Sequence, residues 1–449
     1  MFSASTASGH LAKWAYSVTP ADLSPNELHF ARRTLLDTVG VAIAGRNEPA
    51  SVIAVRYALS SQQGGKSSIW ADGVRTSPEM AALANGTMSH VLDFDDVSSP
   101  QRGHPSVVLW PAITALAEAE GIDEIRAMCA YVIGLEIVAK LGRLIATHHV
   151  AAGWHSTSTI GAIGASLACS WLLELSDAQM TNAIGIALAH AAGTRENFGT
   201  MSKSLHAGIA ASASVRAASL AKLGFDAGEA SLDGPAGFVA LYANGAEFNE
   251  LIGELGKPFE ATRSAVEIKR YPMCYATHRA VDGVLEMKRH YGISLDDVVS
   301  VEVKASNKAS LALVHAHPRT SLEAKFSMQY AVAAALSDGV INLGSFNEDE
   351  VARPELRSFL PNVFSTEDDG PVLPRFAEVR MTLKDGRSIF RRIEDLKGSP
   401  QNPLSDDELL EKIISCCDFA GSPISVDALS RRILAPIEGP ITCDYLNAM

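Results

Sequence analysis

The chain has 449 residues, 47% of them hydrophobic but only 6% aromatic, with a formal charge of −13 at pH 7. That length accommodates two or three domains and a large core of Ala, Gly, Ile, Leu and Val, which points to closely packed helices with small residues at their contacts. The acidic balance argues against nucleic acid or anionic membrane as a partner, and an anionic substrate would need cations concentrated locally.

Six cysteines (Cys129, Cys169, Cys274, Cys416, Cys417 and Cys443) are scattered without C-x-x-C spacing, which predicts reduced thiols and a cytoplasmic setting. The N-terminus lacks a basic segment followed by an apolar one, and no apolar run reaches the ~18 residues of a membrane span. A soluble, cytoplasmic protein with no membrane partner is expected.

The first clear helix starts at Ser24-Pro25-Asn26-Glu27, with Ser24 as N-cap, Pro25 at the first helical position and Glu27 closing a capping box. It runs through Leu28, Ala31, Leu35, Leu36 and Val39 to a stop at Gly45. Gln62 to Lys66 reads as a surface turn, and Ser67 to Ala71 as a short irregular or extended piece. Ser77-Pro78-Glu79 repeats the start signal for a helix ending at His90.

Next comes His90-Val-Leu-Asp-Phe-Asp-Asp96, then the breaker loop Ser98 to Gly103, which delivers His104 just before Pro105 and a second apolar segment. Proline disfavours the α region for the residue before it, so His104 should be extended at a bend. An imidazole at the mouth of two buried helices, with Asp93, Asp95 and Asp96 to set its tautomer and pKa, suits general acid–base work. The bland alternative is a capped, solvated turn. Oxygen ligands this close would also suit magnesium, but the spacing fits neither a calcium loop nor the zinc helix motif, so no metal is expected.

Val107 to Leu144 is helical, punctuated by Gly121 and Gly134. The polar insertion Gly153-Trp154-His155-Ser156-Thr157-Ser158-Thr159 precedes a small-residue helix from Ile160 to Leu175. His155 sits where that helix would begin, either as an incidental residue of the cap or beside free N–H groups that could take a carboxylate. Ser176-Asp177 opens another helix, to Ala192. Gly199 to Gly208 then feeds an Ala-rich helix to Leu223, with Lys203 ahead of it, either snorkelling at the surface or held in a pocket.

The chain changes character after about Pro258. Ile268-Lys269-Arg270-Tyr271-Pro272-Met273-Cys274 is basic and extended, and His278 follows on the next helix. Val298 to Ala305 alternates as a strand with Val299, Val301 and Val303 on one face, and Ala377 to Leu383 turns through Lys384 to Arg387 into Ser388 to Ile393, a hairpin. Between them, Ala324 to Tyr330 leads a helix. Strands are expected only in this part. The prediction is a mainly α protein with a helical domain (1–267), a smaller α+β lid domain (268–398), and a C-terminal helical segment (399–449), opened by the capping box Ser405 to Glu408, that returns to the helical domain.

These stretches resemble the MmgE/PrpD family over essentially the whole length. The resemblance is carried by Leu36-Asp37-Thr38-Val39-Gly40, His90 to Asp96, Gly103-His104-Pro105, and Gly153 to Thr157. It continues in Ser202-Lys203-Ser204-Leu205-His206-Ala207-Gly208, Lys269-Arg270-Tyr271-Pro272 with His278, and Ala324 to Tyr330. It implies a large helical domain with an α+β lid, a homodimer, no cofactor, and an active site of Asp93, His104, His155, Lys203, Lys269, His278 and Tyr330. The family contains 2-methylcitrate dehydratases, cis-aconitate decarboxylases and an iminodisuccinate epimerase. A threonine that follows the aspartates in the decarboxylase pattern has no match in Val97-Ser98-Ser99, which counts against decarboxylation.

All three reactions create or quench negative charge on a carbon next to a carboxylate. Cations stabilise that charge, a role for Lys203, Lys269 and Arg270; His104 and His155 suit the proton transfers. The expected protein is a cofactor-independent enzyme acting on a small di- or tricarboxylate. The first choice is epimerisation of iminodisuccinate. The alternatives are dehydration of a 2-methylcitrate-like acid, cis-aconitate-type decarboxylation, and a non-catalytic or metal-dependent binding protein.

Overall fold

The computed structural model describes residues 6–61, 64–70, 73–263, 265–436 and 439–441; Gln62 and Gln63 of the expected turn, Ala71 and Cys443 lie outside them. The architecture is mainly α and divides into two units. The first comprises Met1–Thr194, Lys203–Ile268 and Ser405–Met449, and the second Arg195–Ser202 and Lys269–Leu404.

The first unit is a stack of helices: α1 (Ala7–Ser17), α2 (Pro25–Gly45), α3 (Pro49–Ser61), α4 (Pro78–His90), α5 (Ser106–Glu120), α6 (Glu124–Ala151), α7 (Ser156–Leu172), α8 (Asp177–Leu188) and α9 (Met201–Lys222, whose first two residues fall in the second unit). The predicted capping signals act as read. Ser24 accepts from the Glu27 N–H and Glu27 bonds back to Ser24, while Ser77 caps α4. The segment from 107 to 144 is two helices, not one: the chain breaks at Gly121, whereas Gly134 stays inside α6, which runs on to Ala151. The expected insertion at 156–159 is already helical, because α7 starts at Ser156 with His155 as its N-cap. Helix α9 likewise begins before Lys203. One small departure is a two-stranded ribbon, β1 (Ser67–Ser68) with β2 (Arg75–Thr76), so strands are not confined to the C-terminal part.

The helices bury most of their apolar side chains against one another. Helix α6 lies on α7, α5 joins α4 to α7, and the late helix α12 (Asp406–Phe419; α10 is His278–Tyr291 and α11 is Met328–Asp338, both in the second unit) rests on α2, where Lys412 Nζ is 2.6 Å from Asp37 and 2.8 Å from the Phe94 carbonyl. That lysine ties the C-terminal segment to the backbone of the aspartate-rich turn.

The second unit holds a four-stranded sheet in the order β4-β3-β5-β6, from β3 (Val298–Ala305), β4 (Val363–Glu367), β5 (Ala377–Leu383) and β6 (Ser388–Ile393). The predicted hairpin β5–β6 is antiparallel, β3 pairs antiparallel with β5, and β4 adds in parallel to β3. Its apolar face packs on α10 (His278–Tyr291) and α11 (Met328–Asp338) through Val301, Val303, Val379, Met381, Val281, Val284 and Ala331. Val299 is exposed, contrary to expectation, because an irregularity between Val298 and Ser300 shifts the phase and buries Val298 instead. Strand β4 shows no readable alternation: only Val363 is buried, as suits an edge.

Candidate active site

The centre of the first unit is polar and buried. At the end of α4, Asp93 adopts a left-handed conformation (φ 53°), which an aspartate tolerates better than most residues, and its N–H bonds the His90 carbonyl at 3.3 Å. This turn folds the chain back so that Asp95 lies beneath the helix it has just left, with His90 Nδ1 at 2.8 Å from Asp95 Oδ2.

The returning loop is closed by paired hydrogen bonds between Ser98 and Gly103. Gly103 presses against the start of α7; a side chain there would meet Ser156 Oγ at 2.8 Å and the Thr157 nitrogen at 2.9 Å. That approach lets the His104 N–H donate to Thr157 Oγ1 at 3.1 Å. The His104 ring then places Nδ1 at 2.9 Å from both Asp95 Oδ2 and the Asp96 carbonyl. Both partners are acceptors, so Nδ1 carries the proton and Nε2 is left for chemistry, 3.8 Å from Asp93 Oδ1. The His104 side chain is 13% exposed, against 0% for His90 and Asp95 and 3% for Asp93.

Lys203 arrives from α9. Gly208 on that helix touches Gly86 on α4, where any side chain would collide with Thr87 Oγ1 and the Leu83 carbonyl. The contact brings Lys203 Nζ into an ion pair with Asp93 Oδ1, both side chains about 5% exposed or less. Of the two readings of Lys203, the structure supports the pocket.

His155 and His206 complete the cluster. Their Nδ1 atoms are 3.1 Å apart. The rings of His104, His90, His155 and His206 follow one another with centroid separations of 4.6, 5.8 and 5.3 Å.

Adjacent aspartates sit in opposite electrostatic settings. Burial would push Asp95 up, but the imidazoles of His90 and His104 hold it well below the usual carboxylate range. Burial and then the Asp37 carboxylate raise Asp96 well above it, against the Ser106 hydroxyl bond. Asp96 accepts from the Ser106 hydroxyl and, at 3.4 Å, its N–H, and so caps α5; Ser106 Oγ also bonds Tyr131 at 2.8 Å. Burial lowers His90 to about 3 despite Asp95, so its ring is neutral and donates Nδ1–H to that carboxylate.

The site can be tested for a cation. His90, Asp93, Asp95 and His104 each place a ligand-type atom within 4.8 Å of the others. Asp95 Oδ2 is already shared by two imidazole N–H groups and Asp93 is paired with an ammonium, so the atoms a cation would bind already have side-chain partners.

The remaining sequence candidates lie in the second unit. Lys269 is fully buried. Arg270 is exposed, 4.0 Å from Asp282 and over the Tyr271 ring. His278 Nε2 meets the Met273 carbonyl at 3.2 Å, and the Tyr330 hydroxyl donates to the Ser345 carbonyl at 2.5 Å. Sequence reasoning assigned no role to His90 or His206, and of the three aspartates it offered to set the His104 tautomer, Asp95 is the one whose carboxylate lies on Nδ1. The signals were present in quoted motifs: His206 is three residues after Lys203 and therefore shares its helix face.

Fold and site together define a helical protein with a buried acid–base centre, in which imidazoles and carboxylates surround one ammonium. Residues 9–251 match the MmgE/PrpD N-terminal domain and residues 271–430 the MmgE/PrpD C-terminal domain. The chain belongs to the MmgE/PrpD family. It is 31% identical over 445 residues to the cis-aconitate decarboxylase of Homo sapiens, covering 95% of this chain and 91% of that one. It is 26% identical over 431 residues to the cis-aconitate decarboxylase of Aspergillus terreus, covering 90% and 87%. No helix among the described residues is long and apolar enough to cross a membrane, and the five described cysteines are free and buried.

Proposed function

We propose that this chain is a lyase that removes carbon dioxide from a small unsaturated tricarboxylate of the cis-aconitate type, working as a homodimer and without a cofactor. The observation that carries the reading is His104. Its Nδ1 is committed to Asp95 and the Asp96 carbonyl, and its Nε2 faces Asp93 beside the Lys203 ammonium. Likeness to cis-aconitate decarboxylases over nearly the whole chain supports decarboxylation among the reactions such a site can run.

The chemistry balances. Cis-aconitate carries one carboxylate on a methylene next to a double bond that is conjugated to another carboxylate. When the methylene–carboxyl bond breaks, carbon dioxide leaves and the electron pair moves through the double bond onto that second carboxylate. A proton then adds to the carbon beside it, giving an unsaturated dicarboxylate. Lys203 stabilises the developing charge, and His104 or His155 delivers the proton. Lys269, Arg270 and His278 are the proposed carboxylate contacts of the second unit.

A second reading keeps the proton transfer and drops the carbon–carbon cleavage, as in epimerisation of iminodisuccinate or dehydration of a 2-methylcitrate-like acid. It is favoured by Val97-Ser98-Ser99, which offers no match to the threonine that follows the aspartates in the decarboxylase pattern. Purified protein offered cis-aconitate, citrate, methylcitrate and iminodisuccinate separates the readings. Carbon dioxide from cis-aconitate supports decarboxylation. Exchange of an α-proton with solvent deuterium on a single enantiomer, without carbon dioxide, supports epimerisation. Release of an alkene from a hydroxy acid supports dehydration.

A further inference from the structure

We propose that Lys412 is a positioning residue of the active site: through the Phe94 carbonyl it holds the backbone between Asp93 and Asp95, and so keeps Asp95 on His104 Nδ1. Such a role rests on the proton chemistry proposed for His104 and adds to it a helix from the far end of the chain.

The aspartate-rich turn needs support from outside. Residues 91–96 belong to no helix or strand, and the bond from the Asp93 N–H back to the His90 carbonyl is long, at 3.3 Å. The other end is pinned by the paired backbone bonds of Val97 with Glu267, at 3.0 and 2.7 Å. Between these points lies Phe94, with the left-handed Asp93 before it and Asp95 after it. Rotation of the Phe94–Asp95 peptide would swing Asp95 away from the two imidazoles it joins.

Lys412 holds that peptide. Its Nζ donates to the Phe94 carbonyl at 2.8 Å and lies 4.1 Å from the centre of the Phe94 ring, so one ammonium grips the main chain and the side chain of the same residue. The Lys412 side chain is only 5% exposed, and a buried carbonyl that loses its donor has no water to replace it.

Helix α2 seats this lysine. Asp37 and Gly40 are one turn apart on it and face α12 together. A side chain at Gly40 would collide with Ile413 Cδ1, so the glycine admits α12 closely, and Asp37 Oδ1 receives Lys412 Nζ at 2.6 Å. The Leu36-Asp37-Thr38-Val39-Gly40 motif, to which the chemistry gave no part, thereby sets Lys412 against the turn. Its two partners divide the work. Asp37 offsets the buried charge and bears on stability, whereas the Phe94 carbonyl bears on the geometry of the site.

The test uses the full chain labelled with ¹⁵N-histidine, first without substrate. The wild type should show a proton on His104 Nδ1, assigned by its loss in His104→Gln; a bare Nδ1 overturns the proposal. In Lys412→Met that proton should shift and exchange faster with solvent. With cis-aconitate, kcat should fall about 10- to 100-fold with KM little changed, as a small displacement of a reacting group costs. The double variant Lys412→Met with Asp37→Asn removes both charges. It should regain thermal stability yet keep the low kcat and the altered His104 proton, because the Phe94 carbonyl still lacks its donor. Recovery of the rate along with stability, or a normal Nδ1 proton in both variants, overturns the proposal and leaves Lys412 as a partner of Asp37 alone. A double variant no more stable than the single one overturns the division of roles. Should Lys412→Met fail to fold, the double variant decides by the same readings. If the wild type releases no carbon dioxide from cis-aconitate, the proposed function fails instead, and the His104 proton alone decides the positioning.

Discussion

In the first unit one cluster of buried polar side chains bonds within itself: Asp95 to His90 and His104, Asp93 to Lys203, and His155 to His206. In the second, three of the buried polar side chains bond to backbone carbonyls: His278 to Met273, Lys325 to Pro272, and Tyr330 to Ser345. A backbone carbonyl cannot change its protonation state, so bonds of the second kind fix architecture. Side-chain pairs can exchange protons, and their members alter one another's affinity for them. The contrast supports the proposal that proton chemistry lies in the helical unit. In the sheet unit it gives the candidate polar groups a structural duty, whatever else they contact.

Substitutions can break that contrast, and the largest effect is expected at His104. His104→Gln should lower kcat by ~10²–10⁴ with the circular dichroism spectrum unchanged; a variant with near-normal turnover would remove His104 from the chemistry.

Lys203 comes next. Its loss should cost ~10²–10³ in rate, and because it removes the ammonium paired with the buried Asp93 carboxylate, it should also destabilise the fold by about 3–5 kcal/mol. The double variant Lys203→Met with Asp93→Asn should regain most of the stability and none of the rate. Recovery of both would reduce the pair to structure.

A smaller effect is expected at Asp96. Its carboxyl is raised above the unfolded value of 3.8, so its contribution to stability is full below that value and is lost as pH rises towards the folded pKa, by at most about 1.4 kcal/mol per pH unit. Asn has no such slope. The stability deficit of Asp96→Asn, measured by urea unfolding between about pH 5 and 8, should therefore shrink as pH rises; a deficit that stays constant over that range would mean Asp96 is already ionised in the folded protein.

The smallest effect on rate is expected in the second unit. Tyr330→Phe leaves the Ser345 carbonyl without its donor and should cost about 1–3 kcal/mol of stability with kcat little changed. A rate loss without a stability loss would move Tyr330 into the chemistry.

Much of this was legible in the chain. Capping boxes announced the starts of α2 and α12 because Ser-x-x-Glu satisfies orphan N–H groups locally. The hairpin β5–β6 followed from the alternation of β5 and the turn Lys384 to Arg387. The aspartate-rich turn and His104 stood out because breakers and charges interrupt apolar helices. What stayed hidden depends on tertiary geometry. Nothing local shows that Asp95 turns under His90, that Gly208 lets α9 touch α4, or that His155 and His206, far apart in sequence, share a bond. Edge strand β4 left too weak a pattern, and the phase shift in β3 that exposes Val299 arises from strand pairing.

The central claim is that the imidazole–carboxylate cluster protonates a carbon after carbon dioxide has left. The direct measurement is incubation of the purified protein with cis-aconitate in deuterium oxide with EDTA present, following the gas released and the product by mass spectrometry. The account expects one carbon dioxide per substrate consumed and a dicarboxylate carrying one deuterium beside a carboxylate, with His104→Gln inactive. An unchanged substrate, or turnover that depends on magnesium added back, would contradict it.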